Sequence, residues 1–301
     1  MLHRLTWIPL VLCLTWSVRT PAAAAERQVG MRVFRDLAYV TGGHERQKLD
    51  LYLPARGTNF PVILWIHGGA FRMGDKSGCD ALAFVPKGFA VASLGYRLSQ
   101  HALFPAQIED CKAAVRWLRA HVREYDLDPD RFGAWGASAG GYLVAMLGTT
   151  GGVKEFDVGE NLDRSSRVQC VVDFFGPTDF LQMDAHRWPG GMEHNTADSP
   201  ESQLIGGLLT DHPDRVRRAN PITYVSPGDP PFLIVHGDHD PLVPHHQSEL
   251  LEQALKRASV PVKFHTVAGG GHGRFEDPAV DPLVTAFFEQ HLRSPTAAGK
   301  P

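Results

Sequence analysis

Five stretches of this chain are apolar almost throughout and too short for helices: 61–67, 89–94, 131–135, 168–175 and 232–236. Runs of that length and character suit strands buried on both faces. Between them lie segments with a different period. In 105–124, Ile108, Cys111, Val115, Leu118 and Val122 recur at helical spacing, and Pro105 suits a first turn. Residues 247–258 and 280–292 also read as helices, and 81–85 as a short one. Residues 262–267 read as a further strand, and 49–53 alternates like a half-exposed strand that stops at Pro54. Strands alternating with helices predict an α/β fold, with a mostly parallel central sheet and helices on both faces.

One junction in this alternation carries chemistry. The run 131–135 leads into Gly136-Ala137-Ser138-Ala139-Gly140, and Tyr142 to Leu147 then reads as a helix. G-x-S-x-G between a strand and a helix is a nucleophile elbow. The small residues let the chain turn tightly and lift the serine hydroxyl out of the backbone. The serine then sits at a helix N-terminus, whose dipole favours developing negative charge.

A serine nucleophile needs a base held by a carboxylate. In α/β-hydrolases the chain order is Ser, then Asp or Glu, then His. Downstream of Ser138, His236-Gly237-Asp238-His239-Asp240 follows one strand, and Gly269-Gly270-Gly271-His272-Gly273 follows another. His272 is the expected base, since its glycines let the loop approach the elbow. Asp240 is favoured as the acid over Asp238, which is better suited to brace the turn; Glu276 is a distant third. The oxyanion hole is expected after the strand at 61–67, in His67-Gly68-Gly69-Ala70-Phe71. The N–H groups of Gly69 and Ala70, with that of Ala139, are its candidate donors, and His67 is expected to brace the loop. Trp188 and Met192 are candidate substrate-binding residues, although local packing would account for them equally. Glu109 and Asp110 read as a solvated helix face, and His245-His246 as surface histidines with no metal between them.

The rest of the chain sets limits. Formal net charge is −3, with 43% hydrophobic and 21% charged residues. No basic stripe invites nucleic acid, and no cofactor motif is present. Residues 1–25 resemble a cleavable export signal: a weak basic start, an apolar run over 5–18 and Ala22-Ala23-Ala24-Ala25 as a cleavage site before Glu26. The expected mature protein is secreted or periplasmic, with no lasting membrane insertion. Its catalytic domain spans 26–293, with a frayed tail at 294–301. Three cysteines remain after the signal, Cys79, Cys111 and Cys170, and the last two suit a core. Residues 178–230 break the strand–helix rhythm and are rich in Gly, Pro, Asp and His. They read as a cap-like insertion over the C-terminal edge of the sheet, where α/β folds bind ligands.

Several motifs occur together and in order: 67–71 and the elbow, Gly95-Tyr96-Arg97-Leu98, Phe104-Pro105-Ala106, 220–227 and 236–240. The set resembles secreted bacterial esterases related to hormone-sensitive lipase, in particular the acetylxylan esterase/feruloyl esterase-like (BD-FAE-like) branch. Ala70 stands where the lipase-like relatives carry a third glycine, which fits the feruloyl esterase-like branch better. The resemblance covers about residues 49–292 and implies the α/β-hydrolase fold, ester hydrolysis and a Ser-Asp-His triad. The implied substrates are short acyl or small aromatic esters, plant polysaccharide-linked esters among them. A formamidase, a lactonase or a peptidase would use the same machinery, and a catalytically silent binding protein would show a damaged triad.

Overall fold

The computed structural model describes residues 26–28, 30–273 and 275–293; the expected signal and tail lie outside the described residues. Among the described residues, nine strands form one sheet in the order β1-β2-β3-β5-β4-β6-β7-β8-β9. The first three are β1 (Glu26–Gln28), β2 (Met31–Ala38) and β3 (Lys48–Pro54), which pair antiparallel, and β3 also runs antiparallel to β5 (Ala90–Leu94). From β5 onward every neighbour is parallel: β4 (Phe60–Ile66), β6 (Leu127–Ala137), β7 (Cys170–Phe174), β8 (Phe232–Gly237) and β9 (Val262–Val267). This is the α/β-hydrolase fold.

The apolar runs are strands for the reason their composition suggests. Every residue of β4, β5 and β8 is buried. On one sheet face lie α1 (Ala106–Ala120), α2 (Ala139–Thr149) and α5 (His246–Arg257), whose Val115, Leu143 and Leu251 join one core. On the other, a 3-10 helix (Asp80–Phe84) and α6 (Val280–Leu292) bury Phe84, Val284 and Phe288 against Trp65 and Trp135. The strand order turns around β4: the chain moves to one side for β5, then crosses to the other for β6. The ends of β4 and β6 therefore face a crevice of the kind that binds ligands in open α/β sheets.

The sequence reading left β1 and β2 unassigned. β2 carries Arg32, Arg35 and Asp36, and its pairing with β3 slips between Phe34 and Leu37, so no clean alternation survives. Residues 178–230 contain four 3-10 turns and two short helices, α3 (Pro200–Ile205) and α4 (Pro213–Ala219). Cys111 and Cys170 are buried, and Cys79 is partly so; no disulfide joins them among the described residues.

Two expectations are corrected. Asp110 is not on a solvated face: it is 1% exposed, accepts Nε and Nη2 of Arg97 as well as the Arg97 backbone N–H, and accepts Gln47 Nε2 at 2.7 Å. The helix packs its Asp110 side under the 95–98 loop, and Arg97 supplies the charge that makes burial tolerable. Histidines 245 and 246 are half-buried and point apart, His245 stacking on Phe264 and His246 on His186.

Candidate active site

Ser138 ends β6 and caps α2 with φ 57° and ψ −121°. A non-glycine residue there stores on the order of 1–3 kcal/mol of strain, which only over-determined surroundings maintain. The surroundings are visible. Ser138 N–H donates to Phe174 O at 2.8 Å, tying the elbow to β7, and Tyr142 N–H returns to Ser138 O at 3.0 Å. The flanking glycines are required by close approach. A Cβ on Gly136 would lie 2.3 Å from Gly140 O, and one on Gly140 would lie 2.0 Å from Ile66 O at the end of β4.

The half-buried Ser138 hydroxyl donates to His272 Nε2 across 2.9 Å, and His272 Nδ1 faces Asp240 Oδ2 at 2.7 Å. His272 sits in the loop after β9 and Asp240 in the loop after β8, so strand ends bring together a serine and a histidine 134 residues apart in sequence. Phe175 closes one side of the base: its ring stands edge-on to the His272 ring at 4.6 Å, with backbone φ 43°. The sequence reading placed Phe175 at the end of a buried strand and gave it no further part.

Asp240 is 2% exposed and fully engaged. Its Oδ1 accepts the N–H groups of Leu242 and Val243 at 2.8 and 2.9 Å. Its Oδ2 accepts His272 Nδ1 and also His236 Nε2, the latter at 3.1 Å. Burial alone would raise its pKa, but the hydrogen bonds from the two histidines outweigh that and hold the carboxyl below the ordinary aspartate range. Asp238 lies outside this network: its Oδ1 accepts Gly269 N–H at 2.6 Å and pins the two loops together. Glu276 is exposed.

The 67–71 loop packs directly on the elbow, since a Cβ on Gly68 would lie 2.7 Å from Ala137 O and 3.3 Å from Ser138 Cβ. Gly69, Ala70 and Phe71 all take positive φ, 111°, 57° and 59°. Three successive positive φ values bend this loop sharply where it meets the elbow. Among the described residues, no protein acceptor takes the N–H of Gly69, Ala70 or Ala139. His67 stacks on Tyr96 at 4.4 Å, its Nδ1 bonds Gly68 O at 2.6 Å, and Arg46 donates toward its Nε2. Burial lowers its pKa to about 4, so it is neutral and holds the loop.

Trp188 and Met192 lie on the acid loop. The Trp188 indole, 37% exposed, lies tilted against the His239 ring at 4.3 Å, and Met192 N–H donates to Pro241 O at 2.8 Å. Beneath the elbow, Asp173 on β7 is buried with Oδ1 accepting Gly176 N–H at 3.0 Å and Oδ2 unpartnered; burial pushes its carboxyl up to about 7.

A serine at a strained strand–helix elbow, a histidine on its hydroxyl and free backbone donors beside it define a site of the α/β-hydrolase class. The chain belongs to the BD-FAE family, whose sequence profile matches residues 49–255. A solved truncated carbohydrate esterase from gut microbiota is 34% identical with a TM-score of 0.79, covering 91% of this chain and 99% of that one. A bifunctional GH43-CE protein of Bacteroides eggerthii is 36% identical with the same TM-score, over 86% of this chain and 38% of its own. An arylesterase of Saccharolobus solfataricus is 35% identical over 250 residues, 81% of this chain and 78% of that protein. The chain spans about half the length of several other curated relatives; Esterase LipQ of Mycobacterium tuberculosis (strain ATCC 25618 / H37Rv), 28% identical, shares 80% of this chain and 57% of its own.

Proposed function

We propose that the protein is a serine carboxylic-ester hydrolase, exported by its first 25 residues to the periplasm or medium, that cleaves short acyl or small aromatic esters carried on carbohydrate. The observation that carries this reading is the continuous Ser138–His272–Asp240 chain, with contacts of 2.9 and 2.7 Å. Names of relatives as esterases support the reaction, and the carbohydrate esterase among the solved structures supports the substrate class. In this reading Ser138 Oγ attacks the ester carbonyl while His272 Nε2 takes its proton. The N–H groups of Gly69, Ala70 and Ala139 hold the oxyanion. Collapse expels the alcohol, which receives the proton from His272. Water then attacks the acyl-enzyme, again losing its proton to His272, and Ser138 is released protonated. Asp240 keeps His272 in the Nδ1–H tautomer and stabilises the imidazolium. Trp188, packed against His239 of the acid loop, offers an aromatic face to the sugar or the acyl group.

The acyl group should be short. The helices of residues 178–230 are six and seven residues long, too small to present the broad apolar face of an interfacial lid. Each further methylene gains about 0.8 kcal/mol only while apolar wall remains to meet it. The test is a hydrolysis panel: p-nitrophenyl esters of increasing chain length, methyl ferulate, acetylated xylan and N-formylkynurenine. Expected is a kcat/KM peak at acetyl to butyryl, a steep fall by decanoyl, and turnover of at least one carbohydrate or feruloyl ester. A peak at long chains with a jump on emulsification would refute the lidless short-chain site. Turnover of N-formylkynurenine alone would move the reading to a formamidase. In parallel, Ser138→Ala should lower kcat by about 10⁴ to 10⁶, and a phosphonate should label Ser138 alone.

A further inference from the structure

Asp240 is held by a second histidine that nothing in the ester chemistry calls for. His236, the next-to-last residue of β8, is fully buried, with Nε2 3.1 Å from Asp240 Oδ2 and 3.0 Å from Val243 O. Both of those partners are acceptors, so Nε2 carries the hydrogen. Its Nδ1 lies 2.7 Å from Ser248 Oγ on α5, and a hydroxyl can donate there. Burial lowers the His236 pKa, which agrees with the neutral ring this pattern requires. The groups that face the ring are Asp240 from its own loop, Ser248 from α5, His245 just before α5, and Phe175 just after β7. His245 is itself engaged by Glu249 and Thr266, and His272 reaches His236 only through Asp240.

We infer that His236 is a positioning residue for the acid: its Nε2–H fixes Asp240 Oδ2 where His272 Nδ1 meets it, and Ser248 sets the His236 tautomer. The inference rests on the proposed Ser138–His272–Asp240 triad. The physical argument is the count of donors. Two backbone N–H groups fill Oδ1 and two imidazole N–H groups fill Oδ2, so the carboxylate cannot rotate and its charge is spread over four hydrogen bonds. Without His236, Oδ2 turns its whole remaining charge on His272. That holds the imidazolium more tightly and loosens the orientation of the ring. Since His236 touches no substrate, the loss falls on kcat and leaves KM in place.

The test compares His236→Phe, His236→Gln and Ser248→Ala with the parent and with Ser138→Ala, on p-nitrophenyl acetate across pH, with circular dichroism and active-site titration for the folded fraction. Phe keeps the ring volume without the donor, whereas Gln can place an amide N–H where Nε2 stood. Per folded site, His236→Phe should lose about tenfold to a hundredfold in kcat, the range of a hydrogen bond to a charged group. Its acid limb of kcat/KM should move upward by on the order of half a pH unit. His236→Gln should restore most of the rate and the limb, and Ser248→Ala should shift the limb in the same direction by less. If His236→Phe does not fold, Ser248→Ala decides: an unmoved limb there overturns the inference. Parental kcat and profile in folded His236→Phe overturn it too, as does a loss that only tracks the folded fraction. An inactive Ser138→Ala beside an unaffected His236→Phe removes this inference alone, whereas an active Ser138→Ala removes the triad reading and this with it.

Discussion

Replacing Asp240 with asparagine perturbs one atom, and the structure predicts where the damage goes. Oδ1 of Asp240 accepts two backbone N–H groups from a fixed loop, so the oxygen of the new amide must sit there. Its NH₂ group then faces both histidines where a carboxylate oxygen stood. Two N–H groups pointing at an NH₂ cannot remain. His272 must change to the tautomer with its hydrogen on Nε2, and that hydrogen then points at Ser138 Oγ, 2.9 Å away. A base protonated on the wrong nitrogen cannot take the serine proton. The opposite amide rotamer offers no escape, because it sets NH₂ against the N–H groups of Leu242 and Val243. The wrong tautomer of a serine-hydrolase base costs about 10⁴-fold in kcat, equal to about 5.4 kcal/mol of barrier. The assay is the kcat of purified Asp240→Asn on p-nitrophenyl acetate with folding checked by circular dichroism, beside Asp238→Asn. The latter keeps an amide oxygen that can still accept Gly269 N–H and loses only the charge behind that bond, so it should keep parental kcat with a slightly lower unfolding midpoint. An Asp240→Asn enzyme within tenfold of the parent would refute the tautomer argument, and a dead Asp238→Asn would assign the acid to the neighbour.

Two further predictions concern stability. Gly140→Ala gains about 1 kcal/mol of helix propensity, but its Cβ would lie 2.0 Å from Ile66 O, a backbone atom of the central strand. Overpacking costs about 1–3 kcal/mol and more against an unyielding neighbour, so urea unfolding should show a net loss together with lost activity; an unchanged midpoint would contradict the elbow packing. For Asp173, the folded carboxyl is pushed up to about 7 from an ordinary value of 3.8. A raised carboxyl binds a proton in the folded state that the unfolded chain releases, so its contribution is intact at low pH and fades as pH rises toward 7. Asn is neutral throughout, so relative to the parent, Asp173→Asn should gain about 2–3 kcal/mol between pH 5 and pH 8. Stability curves that run parallel across those two pH values would show that Asp173 is not the buried proton carrier.

The sequence alone specified the layers and singled out the side chains that meet at the candidate site. Runs such as 61–67 and 232–236 are legible because a strand covered on both faces has no polar positions, and burial is a local composition signal. The elbow is legible because only glycine survives where a Cβ would strike Gly140 O or Ile66 O. Local pattern could not supply the pairings made across the fold. Strand β2 was missed because its charges and its slip in register hide the period. Asp110 read as a surface residue because Arg97 and Gln47, which bury it, approach from outside the helix. His236 read as one letter of a motif because Ser248 and Val243 define its tautomer from the helix and loop that follow. Asp240 was favoured over Asp238 from the sequence, and the convergence of two loops sets Asp240 against His272 and Asp238 against a backbone amide. Burial is written residue by residue, whereas the partner of a buried charge is set by chain segments that meet only when the sheet has formed.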